Sequence, residues 1–156
     1  MRRIRLMCGK VATVDDEDGW QAEYRWHMHT NGYAERKKGG KTVLLHREVL
    51  GLSAGDINVD HINGKKLDCR KSNLRLANQS QNLMNSRKPR RKNGTSSKWK
   101  GVCKSRDKWR ADISVDGRSM YLGTFATQTE AAKAYDAAAR KHYGDFAKCN
   151  FKAKEE

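Results

Sequence analysis

Three features of the sequence predict an α+β protein built from small units. Residues 57–85 have the order strand, loop, strand, helix, and residues 99–144 have three short strands followed by one helix. Only 37% of the 156 residues are hydrophobic, which supports small cores and not one large core. A chain of this length is expected to hold one or two small domains.

Residues 1–45 are expected to form a small β-rich element with one short helix. Residues 32–34 and 42–45 are typical of short strands, and the glycine- and lysine-rich residues 37–41 favour a turn between them. Trp20, Tyr24 and Trp26 are expected to pack in the core, because tryptophans usually fill small cores.

Residues 46–86 form the second predicted unit. Residues 46–52 are typical of a short helix ended by glycine, and Asn63-Gly64 favours a tight turn after the first strand. Residues 74–76 predict a second strand, and residues 78–85 predict a short helix with a polar N-cap. Residues 87–97 hold the only proline and almost no apolar side chain, so they are expected to be a basic linker.

Residues 98–151 predict a three-stranded antiparallel sheet packed on one α-helix. The strands are expected over residues 99–104, 109–115 and 119–125, with Asp116-Gly117 as a hairpin turn. Thr127 and Glu130 have the spacing of a capping box, an apolar stripe follows at helical spacing, and Gly144 stands where a C-terminal cap is expected.

The net charge of +15 is concentrated in one stretch. Residues 87–110 carry eleven basic residues and one acidic residue, whereas residues 111–156 carry seven of each. This focus favours a phosphate-binding track over a basic surface that is merely solvated. Nucleic acid is therefore the expected partner.

The four cysteines are widely spaced and form no Cys-x-x-Cys pair, which argues against a disulfide scaffold, a zinc ribbon and a redox dithiol. No stretch approaches the about 20 consecutive apolar residues of a membrane span, and the basic N-terminus has no long apolar segment behind it. We therefore expect reduced thiols, no membrane partner and a cytoplasmic location.

The order of Asp60-His61, Asn73 and Asn82 resembles the HNH endonuclease motif, in the homing-type branch whose last His is replaced by Asn. The resemblance covers residues 46–85 and implies a ββα-metal unit. It implies that His61 is catalytic, that Asn73 holds the loop and orients the histidine, and that Asp60 and Asn82 bind a metal. His46 also matches a recurrent position of the family and is expected to be structural.

The residue types suit that chemistry. An imidazole titrates near pH 6.5, so His61 can take a proton from water. Successive side chains of a strand point to opposite faces, so Asp60 and His61 can serve different roles. Two protein oxygens suit Mg²⁺ or Mn²⁺ with room for substrate phosphate, whereas one histidine without a thiolate pair is a poor zinc shell.

Residues 97–151 resemble the Apetala-two/ethylene-response-factor DNA-binding domain, in which three strands enter the major groove. Residues 100–102, 109–113, 121–125 and 150–151 carry the resemblance. Cys103 and Ser105 stand where arginines are common in the plant family, so its target sequence is not carried over. The residues expected to contact DNA are Arg87, Lys88, Arg90, Arg91 and Lys92 in the linker, and Lys100, Lys104, Arg106, Lys108, Arg110, Asp112, Arg118 and Tyr121 in the sheet module.

Together these features predict a metal-dependent endonuclease of double-stranded DNA, similar to the homing-type enzymes of phages and other mobile elements. A monomer is favoured over a dimer, and no protein partner is implied. The main alternative is a DNA-binding regulator without enzymatic activity, in which the HNH unit is only structural. An RNA-binding protein would use the same charge, but side chains cannot read the narrow major groove of A-form RNA.

Overall fold

The computed structural model describes residues 1–53, 57–86 and 96–151. It has the predicted α+β composition of antiparallel sheets and helices. The chain divides into two compact units, Met1–Asn82 and Leu83–Glu156. The four cysteines are free thiols.

The strands and helix of the first unit are β1 (Arg2–Arg5), β2 (Val11–Val14), β3 (His27–Met28), β4 (Ala34–Lys38), β5 (Lys41–Leu44), α1 (Leu45–Val49), β6 (Asn58–His61) and β7 (Leu74–Ala77). They form three small antiparallel sheets, which pair β1 with β2, β3 with β4 and β5, and β6 with β7. A 3-10 helix at Asp16–Glu23 is the short helix expected in this region. Helix α2 (Gln79–Asn85) follows β7, and the division between the two units falls within it, after Asn82.

One apolar core joins the N-terminal strands to the strand-loop-strand motif of β6 and β7. It contains Ile4, Trp26, Leu45, Val59 and Cys69, all buried. Two backbone hydrogen bonds strengthen the junction, because β2 bonds directly to the loop between β6 and β7. The Thr13 N–H donates to the Leu67 carbonyl at 2.8 Å, and the Cys69 N–H donates to the Thr13 carbonyl at 2.8 Å. Residues 1–45 and the motif therefore share a single core.

The prediction that all three N-terminal aromatic residues are core residues is wrong for two of them. Trp26 is fully buried, but Trp20 is 45% exposed and Tyr24 is 41% exposed. These two rings pack edge to face on each other, 6.0 Å apart, and the Arg36 guanidinium covers the Tyr24 ring at 3.9 Å. The 3-10 helix turns other side chains inward, among them Gln21, so its aromatic residues remain at the surface.

The second unit is a three-stranded antiparallel sheet packed on one long helix. The strand order is β10 (Arg118–Phe125), β9 (Lys108–Val115), β8 (Val102–Ser105). The apolar face of the sheet packs against the helix through residues such as Val102, Ala111 and Ala131. The capping box of Thr127 and Glu130 is present, and the helix ends at Gly144 with φ +51°. The helix is α3 (Gln128–Tyr143).

Candidate active site and nucleic-acid interface

Asp60 and His61 end strand β6, and both side chains are buried, at 5% and 4% exposure. The alternation of a strand sends these neighbours to opposite faces. The register places Asp60 opposite Arg75 of β7. The Arg75 guanidinium donates to Asp60 Oδ2 from Nε at 2.9 Å and from Nη2 at 2.7 Å. The buried carboxylate thus has a cationic partner.

His61 belongs to a cluster of three rings contributed by three separate elements. Its ring lies 5.0 Å from that of His46 on α1, with the planes nearly perpendicular at 76°. It lies 5.7 Å from the ring of Tyr33, which precedes β4, and Tyr33 and His46 are themselves 4.9 Å apart. His46 is buried, at 5% exposure. The rings of Tyr33 and His46 limit the rotation of the His61 imidazole.

Burial sets the protonation state of both histidines. Desolvation lowers the pKa of His61 to about 4, although Asp60 and Asp68 act in the opposite direction. Burial, aided by the nearby His61 and Arg47, lowers the pKa of His46 to about 3. Both rings are therefore neutral at pH 7, which is the form of an imidazole that accepts a proton.

Asn73 holds the two ends of the loop between β6 and β7 together. Its side-chain Oδ1 accepts the backbone N–H of Asn63 at 3.0 Å, and its Nδ2 donates to the backbone carbonyl of Asp68 at 2.7 Å. The Asn73 carbonyl also accepts the Ile62 N–H at 2.9 Å. Because Ile62 directly follows His61, these bonds fix the backbone that carries the histidine.

Asn82 is half-buried on helix α2, within the first unit. The start of this helix is set by a reciprocal cap, the polar N-cap expected from the sequence. Asn78 Oδ1 accepts the Gln81 N–H at 2.8 Å, and Gln81 Oε1 accepts the Asn78 N–H at 2.8 Å. The Asn82 N–H then donates to the Asn78 carbonyl at 3.0 Å, so Asn82 occupies a fixed place in the first turn.

The oxygen donors of this motif suit a hard divalent cation. Within the described residues, no group of three or more His, Cys, Asp or Glu side chains could hold a metal ion. The ligands that the resemblance implies are one carboxylate, Asp60, and one amide, Asn82. One carboxylate with few further protein ligands is the kind of site at which Mg²⁺ keeps several waters and also binds phosphate. The buried, preformed position of Asp60 fits that role, while its ion pair with Arg75 competes with it.

In the second unit, one face of the sheet packs on α3 and the other is open. The register pairs Lys108 with Ser105, Arg110 with Cys103 and Tyr121 with Asp112, and paired residues share a face. This face is opposite to the one that carries Ala111 and Ile113, which are buried. Lys108, Arg110, Asp112 and Tyr121 thus lie together on the open face.

The open face has its own contacts. The Arg110 guanidinium lies 5.2 Å from the centroid of the Tyr121 ring, and its Nη2 is 2.7 Å from Asp112 Oδ1. The Tyr121 hydroxyl is 2.6 Å from Thr124 Oγ1. Asp112 therefore orients a cation on the open face and also neutralises part of its charge.

The remaining predicted contacts are placed differently. The register pairs Lys104 with Trp109 and Arg118 with Val115, so both cations are exposed at the edges of the helix-side face. Arg106 lies in the turn between β8 and β9, with φ +54°.

Lys100 is turned inward. Its ammonium group donates to the carbonyls of Met84 at 2.5 Å and Ser86 at 2.8 Å, and burial lowers its pKa to about 8. The predicted linker contacts lie outside the described residues: Arg87, Lys88, Arg90, Arg91 and Lys92.

Two residues of the site have no role in the sequence predictions. Arg75 lies within a predicted strand, but its link to Asp60 depends on the register across a long loop. Tyr33 lies far from His61 along the chain, and they meet only through packing. A signal existed for Arg75 alone, because a cation in a strand facing an acid-bearing strand favours a cross-strand pair.

The strand-loop-strand-helix motif lies within a match to a known family. Residues 43–84 match the family model described as HNH endonuclease. An uncharacterized HNH endonuclease of Acanthamoeba polyphaga mimivirus is 34% identical over 141 residues, which cover 85% of this chain and 71% of the viral protein. The chain belongs to the HNH endonuclease family.

Matches to two plant proteins are shorter, at 46 residues each. Dehydration-responsive element-binding protein 2A of Oryza sativa (subsp. indica) is 52% identical over 46 residues, or 28% of this chain and 17% of the plant protein. The protein of the same name from Arabidopsis thaliana is 50% identical over 46 residues, or 14% of its length. No solved structure matches the chain. In the part of the chain that the structure describes, no helix has the length and apolar character needed to cross a bilayer.

Proposed function

We propose that the protein is a metal-dependent endonuclease that hydrolyses phosphodiester bonds of double-stranded DNA, with His61 as its general base. The observation that carries the proposal is a neutral buried histidine that directly follows a buried carboxylate at the end of β6, beside a loop fixed by Asn73. Membership of the HNH endonuclease family supports it.

Each residue has a distinct part in this proposal. A ring nitrogen of His61 takes the proton from the attacking water. Because the histidine is neutral at pH 7, it is ready to accept that proton, and the negative charge of a nearby phosphate stabilises the imidazolium that forms. Asn73 acts on the chemistry through the backbone at Ile62, since it holds the loop that follows the histidine.

Asp60 and Asn82 would hold a Mg²⁺ or Mn²⁺ ion. When bound, such an ion stabilises negative charge on the phosphoryl and leaving oxygens. Arg75 holds the Asp60 carboxylate at a defined position, and its charge limits the repulsion between that carboxylate and the substrate phosphate.

The second unit would anchor the enzyme on duplex DNA through the open face of β8, β9 and β10. Lys108, Arg110 and Tyr121 present two cations and an aromatic hydroxyl there, and a β-ribbon can enter the major groove. The basic residues 87–92 would follow the phosphate backbone. The partial match to plant element-binding proteins supports this role.

Cleavage of supercoiled plasmid tests the proposal. The full chain is compared with His61→Ala, in Mg²⁺ and in EDTA, on plasmids that carry DNA from the source genome. We expect nicked or linear product only from the unmutated chain with Mg²⁺, and unchanged duplex binding by His61→Ala. Metal-independent cleavage, or cleavage by His61→Ala, would contradict the assignment of the metal or of the base. If RNA competes for binding as effectively as duplex DNA does, the choice of substrate is contradicted.

One observation favours a second candidate, a DNA-binding regulator without enzymatic activity. Two guanidinium nitrogens of Arg75, Nε and Nη2, contact the carboxylate that the nuclease would use for its metal. A structural ion pair would leave Asp60 no catalytic role. Calorimetric titration with Mn²⁺ separates the candidates. If the protein is a nuclease, the unmutated chain binds Mn²⁺ and the Asp60→Asn variant does not. If it is a regulator, the substitution Asp60→Asn removes no Mn²⁺ binding.

A further inference from the structure

We propose that Tyr33 is a positioning residue for His61, an inference that rests on the endonuclease function proposed above. Tyr33 lies between β3 and β4, in the N-terminal part of the chain, outside the strand-loop-strand-helix motif. Its ring is 5.7 Å from the His61 ring, at an interplanar angle of 37°, and 4.9 Å from the His46 ring, at 52°. Tyr33 therefore contacts both the histidine proposed as base and the histidine that flanks it.

A cation fixes the tyrosine from the loop of the motif. The Lys66 ammonium lies 4.7 Å from the centroid of the Tyr33 ring, and the same ammonium donates to the Asn31 carbonyl at 2.7 Å. Lys66 thus bridges the loop between β6 and β7 to the segment that carries Tyr33. A cation over an aromatic face is attracted by the ring quadrupole, so this contact holds the ring in place.

The surroundings of Tyr33 differ from those of a core aromatic residue. It is half-buried and lies outside the apolar cluster that the described residues of this unit form. Two imidazoles and an ammonium group lie against its ring. Burial and the Asp60 carboxylate raise the pKa of its hydroxyl.

These contacts predict an effect on turnover. An imidazole can rotate about its side-chain bonds, and the walls made by Tyr33 and His46 restrict that rotation. A base that is displaced by about 1 Å can lower the rate about 100-fold without loss of substrate binding. The ring of Tyr33, and not its hydroxyl, is the part that performs this task.

Two substitutions in the full chain separate the effect of the Tyr33 ring from the effects of side-chain volume and of the hydroxyl. Tyr33→Leu keeps apolar volume but removes the ring, so we expect kcat for plasmid cleavage to fall by about 100-fold while KM and the thermal midpoint stay near those of the unmutated chain. Tyr33→Phe keeps the ring, and its kcat should stay within about threefold of the unmutated value. Tyr24→Leu is the matched control, because Tyr24 is an exposed tyrosine of the same unit that packs on Trp20 and Arg36.

A second measurement does not depend on cleavage. Nuclear Overhauser contacts between the Tyr33 and His61 ring protons are expected in the metal-free protein, and they should persist in Tyr33→Phe. The His61 ring resonances should shift in Tyr33→Leu and stay in place in Tyr24→Leu. This measurement also covers the case in which Tyr33→Leu does not fold, since the contact is observed in the unmutated chain.

The outcomes divide cleanly. Full kcat in Tyr33→Leu, loss of kcat in Tyr33→Phe, or absence of the ring contact would each overturn the positioning role. An equal loss of kcat in Tyr24→Leu would also overturn it, because the effect would then belong to the unit as a whole. Failure of the unmutated chain to cleave, with the ring contact present, would instead contradict the endonuclease proposal.

Discussion

Asp60 and Arg75 form the most buried ion pair of the proposed site. Their side chains are only 7% and 16% exposed, and both guanidinium contacts converge on Asp60 Oδ2. A buried charge without a partner is costly, so each residue depends on the other for its place in the fold. A metal ion at Asp60 would supply a second positive charge, and the pair therefore links the stability of the unit to metal binding.

The first prediction removes the cation of this pair. Arg75→Met leaves the Asp60 carboxylate buried without it, and we expect the free energy of unfolding in EDTA to fall by about 3 kcal/mol. Mg²⁺ should recover more stability in this variant than in the unmutated chain, because the ion replaces the lost charge. Urea unfolding of the full chain, with EDTA and with Mg²⁺, measures both effects.

Arg70→Met is the matched control for that experiment. Arg70 also makes two contacts to a carboxylate, at 2.7 Å each to Asp68, but the Arg70 side chain is 38% exposed. A pair this accessible contributes much less to stability than a buried pair does. Equal losses of stability in Arg70→Met and Arg75→Met, or no response of Arg75→Met to Mg²⁺, would contradict the link between Asp60 and the metal.

The second prediction concerns the loop that Asn73 holds. Asn73→Ala removes the partners of the Asn63 N–H and the Asp68 carbonyl, and we expect the free energy of unfolding to fall by about 2–4 kcal/mol. Hydrogen exchange at the Asn63 amide should accelerate more than exchange in β9 of the second unit. Asn82→Ala is the contrast: alanine is the better helix former, so stability should hold while the response to Mg²⁺ is lost. A loss of stability in Asn82→Ala, together with a loss of the Mg²⁺ response and normal stability in Asn73→Ala, would contradict the roles given to the two asparagines.

The sequence-based predictions succeed where the signal is local. Asp60 and His61 end one short strand and Asn73 directly precedes the next, where a tight turn and hydrophobic alternation indicate these strands, and the capping residues mark the starts of α2 and α3. The fold class follows from the order of these elements. Their bounds differ by a few residues, since β8 begins at Val102 and the expected strand begins at residue 99.

The predictions miss what depends on packing between distant segments. Tyr33 reaches His61 only because residues 1–45 and the motif share one core, which no local pattern reveals. Lys100 matches a DNA-contact position of the plant domain, yet its ammonium group donates to two backbone carbonyls. Trp20 lies at the surface because the 3-10 helix turns Asp18 and Gln21 inward instead.

The third prediction follows from the buried histidine next to His61. The pKa of His46 is lowered to about 3 in the folded chain, against 6.5 ordinarily, so between these values the unfolded chain binds a proton that the folded chain does not. Stability is then complete above pH 6.5 and falls as the pH decreases, by at most about 1.4 kcal/mol per pH unit for this group. His46→Phe should reduce that slope, as measured by urea unfolding from pH 7.5 to pH 5. If the free energy of unfolding depends on pH with the same slope in His46→Phe and in the unmutated chain, the lowered pKa of His46 is contradicted.

The fourth prediction compares two glycines of the second unit, both with positive φ. A Cβ at Gly101 would lie 2.7 Å from Cγ of Tyr135 and closer to two further ring atoms, whereas a Cβ at Gly117 meets nothing within 4 Å. Gly117→Ala should cost about 1 kcal/mol from backbone strain alone. Gly101→Ala should cost at least about 2 kcal/mol more, because it also displaces a buried ring. Thermal unfolding of the two variants measures the difference, and equal losses would show that Tyr135 yields freely.

The fifth prediction tests the open face of the sheet as the DNA interface. Arg110→Gln removes one cation from that face, so the slope of log K against log salt for duplex binding should become shallower by about 0.9. The loss of affinity should shrink as the salt concentration rises. Lys133→Gln removes the same charge from an exposed position of α3 and should leave the slope almost unchanged. Fluorescence anisotropy with the full chains at several salt concentrations gives both slopes. If Lys133→Gln alters the slope as much as Arg110→Gln does, the charge of the whole unit, and not the open face, binds the DNA.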